Sequence, residues 1–357
     1  MMPCGDHAAP ALRGGLILGS ARCGSTLVSQ ILNAHPAVLS VSELFAAVGH
    51  NAFRPGHLDG ARFWAHMATP SRAMSQVANP DAAPSEFLYG RVPQPAHDPW
   101  NCPPILAVAL PHLSENPDAM FDMLAEHMRR RPAASLAAHY DALFQAMARQ
   151  VGGREIWVER SGGSLVASAT LREMFPDAAL VLLTRNGPDT ALSMRDYPAA
   201  RLAIWCWRRL GPMGLDLLHP RRHFGRGAAW PLIAAISGRS GVRRIVARRP
   251  GLAETGAFWS ALTIRGLEGL GNARPMILRY EDLCRDPRIW IERLGAHLQV
   301  GAPAAWLDRT VGLPQPRPSR LAALSSAERD EIERACAPGE AALAAYAAGV
   351  DAEATRP

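Results

Sequence analysis

The chain has 357 residues, 48% of them hydrophobic and 20% charged, with a formal charge of +6 and a pI near 9.3. That is ample apolar material for a large buried core, while the charge excess is too mild, and too little interleaved with aromatics, for a nucleic-acid partner. It suits a small anionic ligand, and because the sequence contains no lysine, every fixed positive side chain that meets such a ligand is an arginine.

The first element is the apolar run 15–18, Gly-Leu-Ile-Leu, which stops at Gly19-Ser20 and reads as a buried parallel strand. From Ser25 onward, Leu27, Val28, Ile31 and Leu32 recur at helical spacing as far as Asn33, so the glycine-bearing loop 19–24 joins a strand to a helix. Residues 55–118 are rich in proline and irregular. Beyond them, 119–150 reads as helix, 156–158 as strand, 164–174 as helix, 179–183 as strand and 188–209 as helix. A strand at 277–278 and a helix at about 287–298 complete the pattern.

This alternation predicts an α/β chain with a P-loop-like three-layer fold, a central parallel sheet flanked by helices, within one domain over 1–357. Residues 47–150 are expected on the acceptor side, as a lid or wall. Residues 211–252 interrupt the pattern as a basic insertion, with Arg221, Arg222, Arg226, Arg239, Arg243, Arg244, Arg248 and Arg249 around the apolar stretch 228–236. A solvated surface is the plain reading of that insertion, and peripheral contact with an anionic bilayer is the alternative.

Cys4, Cys23, Cys102, Cys206, Cys284 and Cys336 show neither CxxC nor Cys/His zinc spacing, which fits reduced thiols in a cytoplasm. No apolar run approaches the roughly 20 residues that span a bilayer, and the run before Gly19 is too short for a signal-peptide core. The expected location is cytoplasmic, at most membrane-peripheral. The oligomeric state leaves no trace in the sequence.

The segment Gly19-Ser-Ala-Arg-Cys-Gly24-Ser25-Thr26 has the setting of a phosphate loop. Small residues let the backbone curl, and the helix behind it offers free amides and a positive dipole end. Compared with the triphosphate signature GxxxxGK[ST], both glycines are in place but the lysine position holds Ser25 and the basic residue comes earlier, at Arg22. A second strand end, at 181–183, runs into Thr184-Arg185 where a triphosphate enzyme needs an acid for magnesium. Both departures point to an oxyanion site that uses arginines instead of a metal ion. Arg185 is suited to a forked contact with a second phosphate, and Ser193, eight residues on, to the same group.

Here the sequence resembles the sulfotransferases that use 3′-phosphoadenosine 5′-phosphosulfate (PAPS), in their bacterial and carbohydrate-type branch. SARCGSTLVSQILNAHP resembles their 5′-phosphosulfate loop, FPDAALVLLTRNGPDTALSM their 3′-phosphate motif, and ILRYEDLCRDP their later Tyr-Glu-Asp segment. IWVERSGGSLV is similar to a strand and loop that often carries lysine at the position of Arg160. The resemblance covers about 14–46, 154–210 and 254–298, in the family's order, and leaves 211–252 without a counterpart. It implies that Arg22, Cys23, Gly24, Ser25 and Thr26 hold the 5′-phosphosulfate, that Arg185 and Ser193 hold the 3′-phosphate, and that Tyr280 lies near the adenine. Cys23 stands where serine or threonine is usual and fills space. Arg317 and Arg320 fall where family members place a loop that closes on the nucleotide.

Sulfuryl transfer to a hydroxyl or amine needs charge stabilisation and a base. Arg22 is the candidate for the sulfuryl oxygens. Glu43 is the candidate base, with a surface or capping role as the alternative. His35 reads as a cap or packing residue, and His50 and His66 stay open as bases. Arg160 either stabilises the sulfate or pairs with a core carboxylate such as Glu159. Trp205 and Trp207 read as core. Carbohydrate, lipid, phenolic and peptide hydroxyls, and other small-molecule acceptors, are all compatible with the sequence. Two other readings are a triphosphate-dependent kinase, which the missing lysine and acid disfavour, and a relative that binds nucleotide or membrane without chemistry.

Overall fold

In the computed structural model, residues 12–70, 87–236 and 239–354 are described. Among them, five strands make one parallel sheet: β1 (Arg13–Gly19), β2 (Val38–Ser42), β3 (Ile156–Arg160), β4 (Ala179–Thr184) and β5 (Met276–Arg279), in the order β2-β3-β1-β4-β5. Successive residues serve two separate cores. Leu16 and Leu18 join Leu39, Val41, Trp157 and Leu182 on one face, while Ile17 joins Val38, Ile156, Val158 and Val181 on the other. A strand buried on both faces has no polar side, which is why 15–18 reads as an unbroken apolar run. The result is the predicted three-layer α/β architecture with a phosphate-type loop after its first strand.

The register decides where the chemistry collects. Ser42 lies opposite Arg160, Gly19 opposite Leu183 and Thr184 opposite Arg279, so the carboxyl ends of all five strands finish side by side. In an open parallel sheet that edge is where ligands bind.

Helix α1 (Ser25–Asn33) has the predicted bounds. Its Ile31 carbonyl, in the last turn, accepts the indole N–H of fully buried Trp306 at 2.7 Å. The short α2 (Leu44–Val48) follows β2 directly. The strand β2 escaped the sequence reading because its Val-Leu-Ser-Val-Ser run is short and only partly apolar. Two helices predicted as continuous are each broken. The 119–150 segment divides into Pro117–Arg129 and Leu136–Gln150 around Pro132, and 188–209 into α3 (Gly187–Arg195) and α4 (Pro198–Leu210). Proline lacks the amide that would continue a helix and holds the residue before it extended, so Tyr197 sits at a kink.

The basic insertion folds as α5 (Ala229–Ile236) and α6 (Arg239–Ala247). In α6, Val242 turns inward while Arg243 and Arg244 are exposed; on α5, Leu232 is exposed. Two further helices were invisible in the alanine- and glycine-rich sequence, α7 (Leu252–Leu270) and α8 (Ser326–Ala354). They approach so closely that a Cβ on Gly256 would lie 2.7 Å from that of Ala335. No helix among the described residues is long and apolar enough to cross a membrane.

Because Trp306 fills the core beneath α1 and satisfies a helix-terminal carbonyl, Trp306→Ala is expected to lower stability by about 3–5 kcal/mol in denaturant unfolding. A loss below ~1 kcal/mol would show that α1 is anchored elsewhere.

Candidate functional site

A cavity of about 630 Å³ opens along the carboxyl edge of the sheet. Its floor is the loop 20–24, which the sequence identified as an anion cradle. Three of its residues are left-handed, Ala21 at φ 66°, Arg22 at φ 56° and Gly24 at φ 100°. For Ala21 and Arg22 this is a strained conformation of the kind kept where a backbone must curl around a ligand. Gly24 has a second constraint: a Cβ there would lie 2.5 Å from the Tyr280 ring. The N-cap residue of α1, Gly24, gives no side-chain cap, and the positive end of the helix dipole faces the cavity. Ser25 and Thr26 line the cavity from the first turn of that helix.

Cys23 does not face the cavity. Its side chain is buried in the core below the loop, and burial pushes the thiol up to about 11. It fills space, as the sequence reading allowed.

At one end of the cavity, Arg185 follows β4 and Tyr280 follows β5. The Arg185 guanidinium lies 4.9 Å from the centre of the Tyr280 ring, and the Tyr280 hydroxyl donates to the Gln315 carbonyl at 2.9 Å. Arg185 makes no hydrogen bond or ion pair with any described residue, and neither does Arg317, which also lines this end. The sequence reading put Arg22 and Ser193 in separate clusters. The structure joins them: Arg22 Nε donates to Ser193 Oγ at 3.2 Å, and the guanidinium lies 4.8 Å above the Tyr197 ring. Tyr197 was missed because the predicted helix ran straight through it.

Arg320 is elsewhere. Its guanidinium bonds Asp196 at 2.9 Å and the Leu192 carbonyl at 3.4 Å, and it does not line the cavity. Asp196 gathers Arg201, Arg249 and Arg320; burial raises its carboxyl, but the bond from Arg249 and the three positive charges outweigh that and lower it. Arg320 thus ties the 319–320 loop to α3, helped by Asp189, which accepts from the Arg320 amide at 2.8 Å.

The other end is built by β2 and β3. Glu43, left-handed at φ 56°, turns the chain from β2 into α2, and its amide donates to the Arg160 carbonyl at 2.7 Å. Its carboxylate accepts from Arg160 Nη1 and, at 2.8 Å, from the Gly162 amide, and it lines the cavity. Arg160 also donates to Ser42 Oγ at 2.5 Å and to Ser25 Oγ at 3.3 Å. Its partner is therefore Glu43 and not Glu159, and its buried guanidinium stands behind the cavity wall. Ser42 and Gly162 carried no signal in the sequence, since their roles exist only once β2 and β3 pair.

Glu159 is fully buried on the opposite side of β3. Its Oε1 accepts from Ser161 Oγ at 2.5 Å and from the Phe45 amide at 3.4 Å, while Oε2 has no partner among the described residues. Burial, with the Glu43 charge adding to it, raises the carboxyl to about 8 against the bonds from Ser161 and Phe45.

None of the three histidines considered lines the main cavity. His35 is buried, accepts from the Ala37 amide at 3.1 Å and packs edge-on against Trp306, and burial lowers it. His50 packs against Phe224. His66 lines a separate cavity of about 330 Å³. Trp207 packs edge-on against Phe258, as a core residue would, whereas Trp205 is 38% exposed. No group of three or more His, Cys, Asp or Glu able to hold a metal occurs among the described residues.

A family model described as "Sulfotransferase family" matches residues 16–224. No curated protein matches the chain. Solved structures that are similar to it include the sulfotransferase domain from the curacin biosynthetic pathway, at 13% identity and a TM-score of 0.41, with 90% of each chain covered. A sulfotransferase from Alicyclobacillus acidocaldarius has 17% identity and a TM-score of 0.40, with 95% of each chain covered. The sulfotransferase domain of the Synechococcus PCC 7002 olefin synthase has 17% identity and a TM-score of 0.39, covering 93% of this chain and 89% of that one.

The raised Glu159 carboxyl makes stability depend on pH. Its folded value near 8 exceeds the ordinary 4.5, so the folded state holds a proton that the unfolded state releases between these values. The contribution is full below 4.5 and is lost as pH rises through about 8. Glu159→Gln, which cannot ionise, is expected to flatten the decline in melting temperature over that window; an unchanged decline would assign it to other groups.

Proposed function

The chain belongs to the sulfotransferase family, and on that premise we propose that it moves the sulfuryl group of PAPS to an acceptor hydroxyl by direct in-line displacement. The observation that carries this reading is the charge of the cavity. Among the described residues its lining holds three guanidinium groups, Arg22, Arg185 and Arg317, and one carboxylate, Glu43, which Arg160 already engages from behind. Such a cleft attracts a ligand with several negative charges.

PAPS matches it group by group. The curled loop and the first turn of α1, with Ser25 and Thr26, suit the 5′-phosphosulfate. Arg185 and Ser193 suit the 3′-phosphate, Tyr280 offers a ring to the adenine, and Arg317 is placed to add charge beside them. A nucleoside triphosphate fits less well, because Ser25 stands where its lysine belongs and Arg185 where its metal-binding acid belongs.

In the proposed step, the acceptor oxygen forms a bond to sulfur as the bond from sulfur to the 5′-phosphate oxygen breaks. The acceptor proton passes to Glu43, and the charge gained by the departing phosphate is stabilised by Arg22 and the loop amides. Arg160 acts behind this site, holding Glu43 and Ser25 in register.

Arg22→Ala is expected to reduce transfer about 100-fold or more with the fold intact by circular dichroism; undiminished turnover removes it from the reaction. Arg185→Ala is expected to weaken adenosine 3′,5′-bisphosphate far more than adenosine 5′-phosphate in calorimetry, and equal losses would argue against a 3′-phosphate pocket there. Glu43→Gln is expected to depress kcat with little change in nucleotide affinity, and also to lower stability by up to about 3 kcal/mol because Arg160 loses its counter-charge. A normal kcat would move the base to another residue.

A further inference from the structure

Away from the nucleotide end, the same cavity has a stretch of wall, here called its arm, in which no charged side chain occurs among the described residues. The four charged residues of the described lining, Arg22, Glu43, Arg185 and Arg317, belong to the donor and transfer site proposed above. The arm is formed by apolar residues from distant parts of the chain: Ala47 on α2, Phe87 and Val108 from the irregular region, Ala203 on α4, and Leu217 and Phe224 at the base of the insertion. The arm begins beside the candidate base, since Glu43 caps the helix that carries Ala47. Phe224 is fixed in place, with its ring 5.5 Å from Trp230 and against Gly49.

We infer that the acceptor is an apolar alcohol, a hydroxyl on an alkyl chain or comparable hydrocarbon body, with the hydroxyl at Glu43 and the body in this arm. The inference rests on the sulfuryl-transfer reading and names its acceptor class. A sugar or other polyol entering the arm would leave its remaining hydroxyls facing alkyl and phenyl groups without hydrogen-bond partners, which costs binding. A charged acceptor would lose its hydration with nothing to replace it. A hydrocarbon body loses nothing polar and gains from leaving water, and each methylene that enters is worth about fourfold in affinity. Ala47 and Ala203 are small, and the space they leave keeps the arm open.

The test is equilibrium dialysis of labelled straight-chain alcohols from butanol to dodecanol, and of glucose, with and without adenosine 3′,5′-bisphosphate. Affinity is expected to climb about fourfold per methylene until the arm is full. Ala203→Leu is expected to shorten that climb, cutting the longest alcohol about tenfold while leaving butanol and the bisphosphate unchanged. Leu217→Asp is expected to flatten the series altogether; if it does not fold, Ala203→Leu still decides. A series that is flat in the unaltered protein, or tighter binding of glucose than of any alcohol, overturns the inference. Normal alcohol binding with no bisphosphate binding would instead overturn the nucleotide reading and leave the arm as an apolar binding site.

Discussion

The Arg160 guanidinium is nearly out of contact with water, its side chain only 3% exposed, and a charge in that position has to be met by an opposite charge and by oxygens that accept its protons. Glu43 supplies the charge, and Ser42 and Ser25 supply hydroxyls. These partners come from the end of β2, the turn after it and the start of α1. Removing one partner from such a pair typically costs about 3–5 kcal/mol, because the other charge stays buried. The requirement therefore fixes three chain segments against one another. It also fixes the carboxylate at the cavity wall, since the second Glu43 oxygen is taken by the Gly162 amide.

The other half of the site depends on sterics more than on charge. The loop after β1 is held left-handed at Ala21 and Arg22, and Tyr280 presses against Gly24 where no Cβ can fit. That contact makes the aromatic after β5 a measure of the loop's position, and the same ring carries Arg185 on its face. Stacking on an aromatic face engages the plane of a guanidinium and not its N–H edge. Arg22 is arranged alike, stacked on Tyr197 with one nitrogen bonded to Ser193. Both arginines are thus set in orientation by aromatic rings, which a lysine could not match as well.

Behind this edge lies a buried carboxyl of a different kind. Glu159 alternates with Arg160 on β3 and so faces the opposite layer, where one of its oxygens has no partner among the described residues. Burial keeps it protonated through neutral pH, so β3 presents a neutral acid to the core and a cation to the site. A one-residue slip of β3 would exchange them.

Much of this was legible in the sequence, and the reason is local. A strand–loop–helix unit announces itself by an apolar run, small residues and a helical repeat, so β1, the loop 19–24 and α1 were placed closely, as was Arg185 after β4. The α/β class followed from alternation, and the family from motifs carried on those same units. What the sequence could not decide were relations between segments far apart in the chain. Whether Arg160 meets Glu43 or Glu159 depends on the pairing of β2 with β3 and on which face each residue takes. Whether Arg317 or Arg320 reaches the cavity depends on Asp189 and Asp196, which draw Arg320 away to α3. The helices α7 and α8 are stabilised by mutual packing rather than by a strong apolar stripe, so only their contact reveals them. The chemistry of single residues was written in the one-dimensional chain, whereas their partners were selected by burial and strand register, which exist only once the sheet has formed.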